Sequence, residues 1–201
     1  MTLKPHFRPA LLALALLLVA SGCARNPPPP ETYHLEAQRT QVRSPQKFAD
    51  TLQINLPRSL SAYSGIAFVY QEGPQRYAQD DFRLYTAPLP VALQEQLTIW
   101  LTRSGLFEHV VPNSAWQARY VLDVEIRDIS VDVRTDTPHT ATVQFHARLR
   151  DTQANQYMLD QTFSGQAVAS SPLDGGAIIA AQSQALKLAL QALETALVAT
   201  P

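Results

Sequence analysis

Three consecutive stretches between Tyr120 and Phe163 alternate apolar and polar residues with a period of two. In an extended chain successive side chains point to opposite faces, so such a run makes a strand with one buried and one wet face. Leu122, Val124 and Ile126 share one face, and Ile129, Val131 and Val133 resume it one residue out of phase. The slip at Arg127-Asp128 predicts a β-bulge. Ala141, Val143, Phe145, Ala147 and Leu149 form the next apolar row, opposed by Thr142, Gln144, His146 and Arg148, and Tyr157, Leu159 and Phe163 continue it in a third strand. The links Arg134–Pro138 and Asp151–Gln156 are short enough for hairpins, which predicts an antiparallel meander.

Two segments carry the helical period instead. Leu89, Leu93, Leu97 and Trp100 fall on one face of a helix expected over Pro88–Ser104, with prolines at its start and Gly105 as its stop. A longer helix is expected from Asp174 or Gly175 to Ala199. Its inward sector is Ile179, Leu186, Leu190, Leu193 and Leu197, flanked by Ala185, Ala189, Ala192 and Ala196. Leu188 lies among Gln184, Lys187, Gln191 and Thr195, which makes it the candidate partner contact on this helix. Before the first helix the chain reads as strands at Tyr33–Leu35, Leu52–Leu56, Ile66–Tyr70 and Arg76–Tyr85, with a loop over Glu36–Asp50. Phe107–Val111 follows the helix as another strand, which suggests a βαβ-like unit. The fold class is α+β: a two-layer domain with a mostly antiparallel sheet and two helices packed on its apolar face.

The N-terminal residues obey different rules. Lys4 and Arg8 precede an apolar run from Leu11 to Ala20, and small residues then lead to the sole cysteine. That is the build of a secretory signal peptide, and the run is too short to span a bilayer. Ala20-Ser21-Gly22-Cys23 resembles the bacterial lipobox, in which the cysteine is acylated and becomes the mature N-terminus. Two or three acyl chains hold a protein on a membrane almost permanently, because each buried CH₂ contributes about 0.8 kcal/mol. The expected division is therefore residues 1–22 as signal peptide, 23–32 as a proline-rich tether and 33–201 as the domain. Pro27–Pro30 fix φ and favour an extended spacer of about 3.1 Å per residue. About 180 residues remain for a single core, and with Cys23 acylated no disulfide can support it. Ala24 and Arg25 follow the cysteine in place of an aspartate, which by the general sorting rule directs a lipoprotein to the outer membrane's inner leaflet, facing the periplasm.

The order of these elements resembles the ABC-type transport auxiliary lipoprotein family, which accompanies Mce-type and paraquat-inducible lipid transport systems. The resemblance is carried by Ala20–Cys23, Tyr33-x-Leu35, Leu52–Pro57, Tyr85-x-Ala87-Pro88-Leu89 with Leu97-x-x-x-Leu101, Ala118–Ile126, and the alanine- and leucine-rich helix after Gly165–Ala169. Leu84-Tyr85 stands where the family usually has a tryptophan. The resemblance implies a non-catalytic accessory of an Mce-type ABC transporter, working beside an Mce-domain protein, a permease and an ATPase, with Cys23 as the lipidation site and no cofactor. Two alternatives stay open: an assembly lipoprotein of another envelope machine, such as a lipopolysaccharide translocon or secretion pore, and a periplasmic lipid-binding carrier. A homo-oligomer also stays open.

The residues themselves offer little chemistry. Asp80 and Asp81 are adjacent, so in a strand they point apart and cannot flank one reacting atom. His109, His139 and His146 lack metal-ligand spacing, and His146 lies on the polar strand face, where solvent exposure is expected. No glycine-rich phosphate loop and no Gly-x-Ser-x-Gly elbow occurs, and Trp100 and Trp116 read as core or rim aromatics. A net charge of −1, with 16% charged residues, leaves no basic patch for nucleic acid.

Overall fold

The computed structural model describes residues 28–113, 118–134 and 138–200. In chain order the elements are β1 (Glu31–Tyr33), β2 (Phe48–Ile54), β3 (Arg58–Ser59), β4 (Ala67–Gln71), β5 (Tyr77–Tyr85), α1 (Leu89–Ser104), β6 (Phe107–Pro112), β7 (Tyr120–Asp132), β8 (Thr140–Asp151), β9 (Gln156–Val168) and α2 (Gly175–Ala199).

The expected meander is present. β7 pairs with β8 and β8 with β9, both antiparallel. The β7 register shifts between Ile126 and Asp128, where the apolar phase slips. Ala141, Val143, Phe145, Ala147 and Leu149 are all fully buried. Tyr157 departs from the expected row. The β8–β9 register shifts so that Leu149 faces Leu159 but Arg150 faces Tyr157. A one-residue slip moves a side chain to the other face, and Tyr157 is 55% exposed.

The sheet as a whole is mixed rather than mostly antiparallel. The second edge of β7 is shared by three parallel strands in succession: β2 at Tyr120–Leu122, β3 at Glu125–Ile126 and β4 at Val131–Asp132. β6 adds to β2 in parallel, while β5 pairs antiparallel with β4 and carries β1 on its far edge. The sheet thus forks along β7 into a β2–β6 wing and a β4–β5–β1 wing. β5 and β6 lie on different wings and run in opposite senses, so α1 crosses from wing to wing and no βαβ unit forms. Such parallel pairings between distant segments leave no trace in local periodicity, which reports faces but not neighbours.

α1 begins at Leu89 behind Pro88 and ends at Gly105, whose φ of 75° is the left-handed conformation that glycine adopts without strain. α2 is capped by Asp174, whose carboxylate accepts from the Ala177 N–H at 2.7 Å. Its buried side is Ile178, Leu186, Leu190, Leu193 and Leu197 with Ala181, Ala185 and Ala189. Ile178 is inward and Ile179 only half-buried, and Ala192 is exposed, because the helix is rotated slightly from the expected sector. Two polar residues, Gln182 and Glu194, are also buried. Both helices and the sheet contribute to one continuous core. At the start of β7, Phe48, Phe107 and Tyr120 cluster with ring centroids 4.5 to 5.9 Å apart, joining β2, β6 and β7.

Gly165 sets how closely α2 approaches β9. A Cβ there would collide with the Ala185 carbonyl oxygen and come within 2.9 Å of the Ala189 amide nitrogen and the Leu188 Cβ. The obstruction is helix backbone, which cannot rotate away. Gly165→Ala should therefore destabilise the domain by about 3 kcal/mol in urea unfolding. Gly65→Ala, with nothing within 4 Å of the added carbon, should stay within about 0.5 kcal/mol of the parent.

Candidate partner-binding site

Residues 34–47 have no regular structure. This shifts the expected Glu36–Asp50 loop toward the N-terminus, since the first strand lies at Glu31–Tyr33 rather than Tyr33–Leu35 and β2 already starts at Phe48. These residues are nevertheless firmly fixed. The segment runs from β1 to β2 over the two helices. The Ala37 N–H donates to Gln96 Oε1 at 2.9 Å, the Ser44 N–H to the Ser104 carbonyl at 2.8 Å, and the Lys47 N–H to the Leu106 carbonyl at 2.9 Å. Leu35 and Ala37 enter the core. Lys47 Nζ donates to the Val198 and Thr200 carbonyls, satisfying acceptors left open at the end of α2.

The strongest attachment is a buried carboxylate. Arg39 grips Glu194 with two hydrogen bonds, Nε to Oε2 at 3.0 Å and Nη2 to Oε1 at 2.7 Å. The Arg39 side chain is 3% exposed. Trp100 Nε1 donates to the same carboxylate at 2.8 Å, with Ser44 Oγ at 3.4 Å. Burial would raise the Glu194 carboxyl, but the hydrogen bonds and charge of Arg39, with Trp100 and Ser44, hold it below the usual glutamate range. One acid thereby ties the N-terminal segment, α1 and α2 together.

Three surfaces are candidates for partners. On α2, Leu188 is 38% exposed, as its polar neighbours led one to expect. A shallow groove of about 360 Å³ beside it is lined by His34, Glu36, Ile179, Ser183, Gln184 and Lys187. A more apolar patch lies where α2 ends. Val198 is 50% exposed and joins Pro45, Lys47 and Leu106 around a groove of about 300 Å³. Sequence reasoning missed this patch, because Pro45 and Lys47 sit in a loop and Val198 in the last turn, outside any periodic face. The polar sheet face is a lattice of opposite charges. Asp123, Arg148 and Asp160 stand side by side on β7, β8 and β9, and His146 Nε2 lies 2.8 Å from Asp160. His146 is half-buried there rather than fully exposed, since Thr162 and Asp160 pack against its ring.

Cys23 and Trp116 lie outside the described residues. Trp100 is a core residue, 1% exposed. Asp80 and Asp81 do not act together: Asp80 accepts from Tyr70 Oη at 2.6 Å and from the Phe82 and Arg83 amides, while Asp81 faces solvent. Burial and the Asp80 hydrogen bond push the Tyr70 hydroxyl up to about 12, which leaves it a hydrogen-bond donor at neutral pH. Among the described residues no three His, Cys, Asp or Glu side chains stand close enough to share a metal ion, and no helix is long and apolar enough to cross a membrane.

No family model matches the sequence, and no curated protein sequence does either. Solved structures do match the fold. Protein XCC0632 from Xanthomonas campestris, under the family model DUF330, superposes with a TM-score of 0.73 at 19% identity, over 82% of this chain and 92% of that chain. A second crystal structure, of an uncharacterized protein, gives 0.65 at 14% identity over 84% and 98%. The chain shares the fold of both. Lipoprotein GNA1162 from Neisseria meningitidis gives 0.37 at 12% identity over 64% and 89%, too low to bear on the comparison.

The Glu194 cluster yields a test of stability. Glu194→Gln leaves the Arg39 guanidinium buried without its counter-charge and should cost about 3 kcal/mol. Adding Arg39→Met should recover much of that loss. Because the folded-state pKa of Glu194 is depressed, its stabilising contribution is complete above the usual glutamate value of about 4.3 and fades as pH falls through the lower folded value. Unfolding midpoints measured from pH 7 down through that window should drop more steeply for the parent than for the double variant.

Proposed function

We propose that this chain is a non-catalytic lipoprotein of the bacterial envelope, anchored through Cys23 in the inner leaflet of the outer membrane, and that it braces the periplasmic part of an Mce-type ABC lipid transporter. The observation that carries the reading is the lipobox Ala20-Ser21-Gly22-Cys23, placed five residues before the first described residue of a folded domain, Pro28. The order of elements supports it, since it follows the ABC-type transport auxiliary lipoproteins that the sequence resembles. The domain-long fold shared with XCC0632 is consistent with it. The buried or half-buried carboxylates Glu194, Asp80, Asp128 and Asp151 are engaged in ion pairs and hydrogen bonds that hold strands and helices in place, a pattern that suits a scaffold.

On this reading the partners are an Mce-domain protein and its permease and ATPase, and the surfaces available to them are the Leu188 ridge, the Pro45–Val198 patch and the polar sheet face. The test uses the full chain in cells. Cys23→Ser should move the protein from the membrane to the soluble fraction, and crosslinking of the parent should co-purify transporter subunits. Retention of the Cys23→Ser variant in membranes would overturn the anchoring. Recovery of an outer-membrane barrel or secretin in place of transporter subunits would replace the Mce assignment with the assembly-lipoprotein alternative.

A further inference from the structure

The point at which the chain enters the fold determines which end of the domain meets the lipid. Glu31 pairs with Arg83 in a parallel register, and Pro28 and Pro29 share a groove with Asp80, Phe82 and Arg83. Traced backwards, the chain therefore runs along β5 toward Tyr77. The same end of the sheet gathers the β4–β5 turn, where Gln71 faces Tyr77, and the β7–β8 turn, since Gln71 also faces Asp132 and Asp132 faces Thr140. Val168, opposite Thr140, ends β9 there.

Two lengths decide the matter. The five residues from Cys23 to Pro28 span at most about 18 Å, whatever their conformation. Continued in the observed register, Pro28 lies beside Asp80, and four residues of extended chain from Asp80 to Arg76 cover about 13 Å in the same direction. The β4–β5 turn thus projects nearly as far as the tether can reach. We propose that this end of the sheet rests on the lipid headgroups, held there by a tether too short to lift it clear. The inference depends on the acylation of Cys23 proposed above.

The surface at that end suits such contact. Tyr77 is 43% and Val168 63% exposed, and each is of a type that tolerates the headgroup boundary. The cations of the two turns are neutralised within them: Arg76 pairs with Glu72 at 2.8 Å and Arg134 with Asp132 at 2.6 Å. Glu72 and Asp132 are each matched by that cation, so among the described residues of these turns no carboxylate stands unpaired against an anionic leaflet. The opposite end, which holds the start of β7 and the Thr152–Asn155 turn bonded to Arg119, faces away from the bilayer, and with it the end of α2 and the Pro45–Val198 patch.

The test places one fluorophore at each end of the full acylated protein. Gln75→Cys and Gln153→Cys put an exposed cysteine in the β4–β5 and β8–β9 turns respectively, and Cys23, being acylated, does not react. Each is labelled with bimane and reconstituted into phosphatidylethanolamine–phosphatidylglycerol vesicles carrying a nitroxide on the headgroup. Quenching at position 75 should exceed that at position 153 several-fold. Inserting a flexible linker of about 20 residues after Arg25 should abolish the difference. Equal quenching, or stronger quenching at 153, in protein that floats with the vesicles would overturn the placement while leaving the anchor intact. Failure to float would remove the anchor and the placement together. A difference that survives the long linker would overturn the role given to tether length.

Discussion

Everything in this fold is assembled on the two edges of one strand. β7 must satisfy the backbone groups of Tyr120–Asp132 on both sides, because its side chains on the core face are buried and water cannot reach that part of the ladder. One edge is met by β8 in an unbroken hairpin, with only the bulge after Ile126. The other is met piecemeal by β2, β3 and β4. Between these pieces stand Pro57, which is buried and has no N–H to donate, and the turn at Ser61–Tyr63. Tyr63 closes that gap by donating from its hydroxyl to Asp128 at 3.0 Å, at the site of the bulge. Burial raises the Asp128 carboxyl, and the hydrogen bond from Tyr63 satisfies it in place of water.

The forked sheet has a consequence for the helices. Each wing needs its apolar side covered, and α1 and α2 do so only if they are held together. Trp100 on α1 and Glu194 on α2 meet in a hydrogen bond, and Arg39 from the N-terminal segment supplies the charge that makes the buried acid tolerable. A chain attached to a membrane by its N-terminus would transmit any pull through this segment. β1 meets such a pull first, and behind it the contacts of Ala37, Arg39, Ser44 and Lys47 hold the chain to both helices.

Much of this was legible in the amino-acid order. The meander, its bulge, both helices and the Gly105 stop of the first follow from periods of two and 3.6 and from the conformational limits of proline and glycine. What escaped are features made by residues far apart in the chain. Tyr157 changes face through a register slip that no local alternation records. Glu194 lies 155 positions from Arg39, and reads in isolation as a solvated residue near a helix end. The Pro45–Val198 patch joins a loop to a last helical turn. For the candidate site, the sequence identified Leu188 by its polar surroundings and Cys23 by the small residues before it, but it could not choose between surfaces.

The sequence by itself determined both helices, the long strands of the meander and most of their apolar sides, and that a single cysteine follows a short apolar stretch, since these depend on residues within a few positions of one another. The short β3 it did not show. Tertiary structure alone decided which strands share β7, how α1 crosses between wings, and that the N-terminal segment is bound across the helices. Those choices arise from backbone pairing and burial between segments dozens of residues apart. There the winning arrangement is the one that leaves the fewest polar groups unmatched.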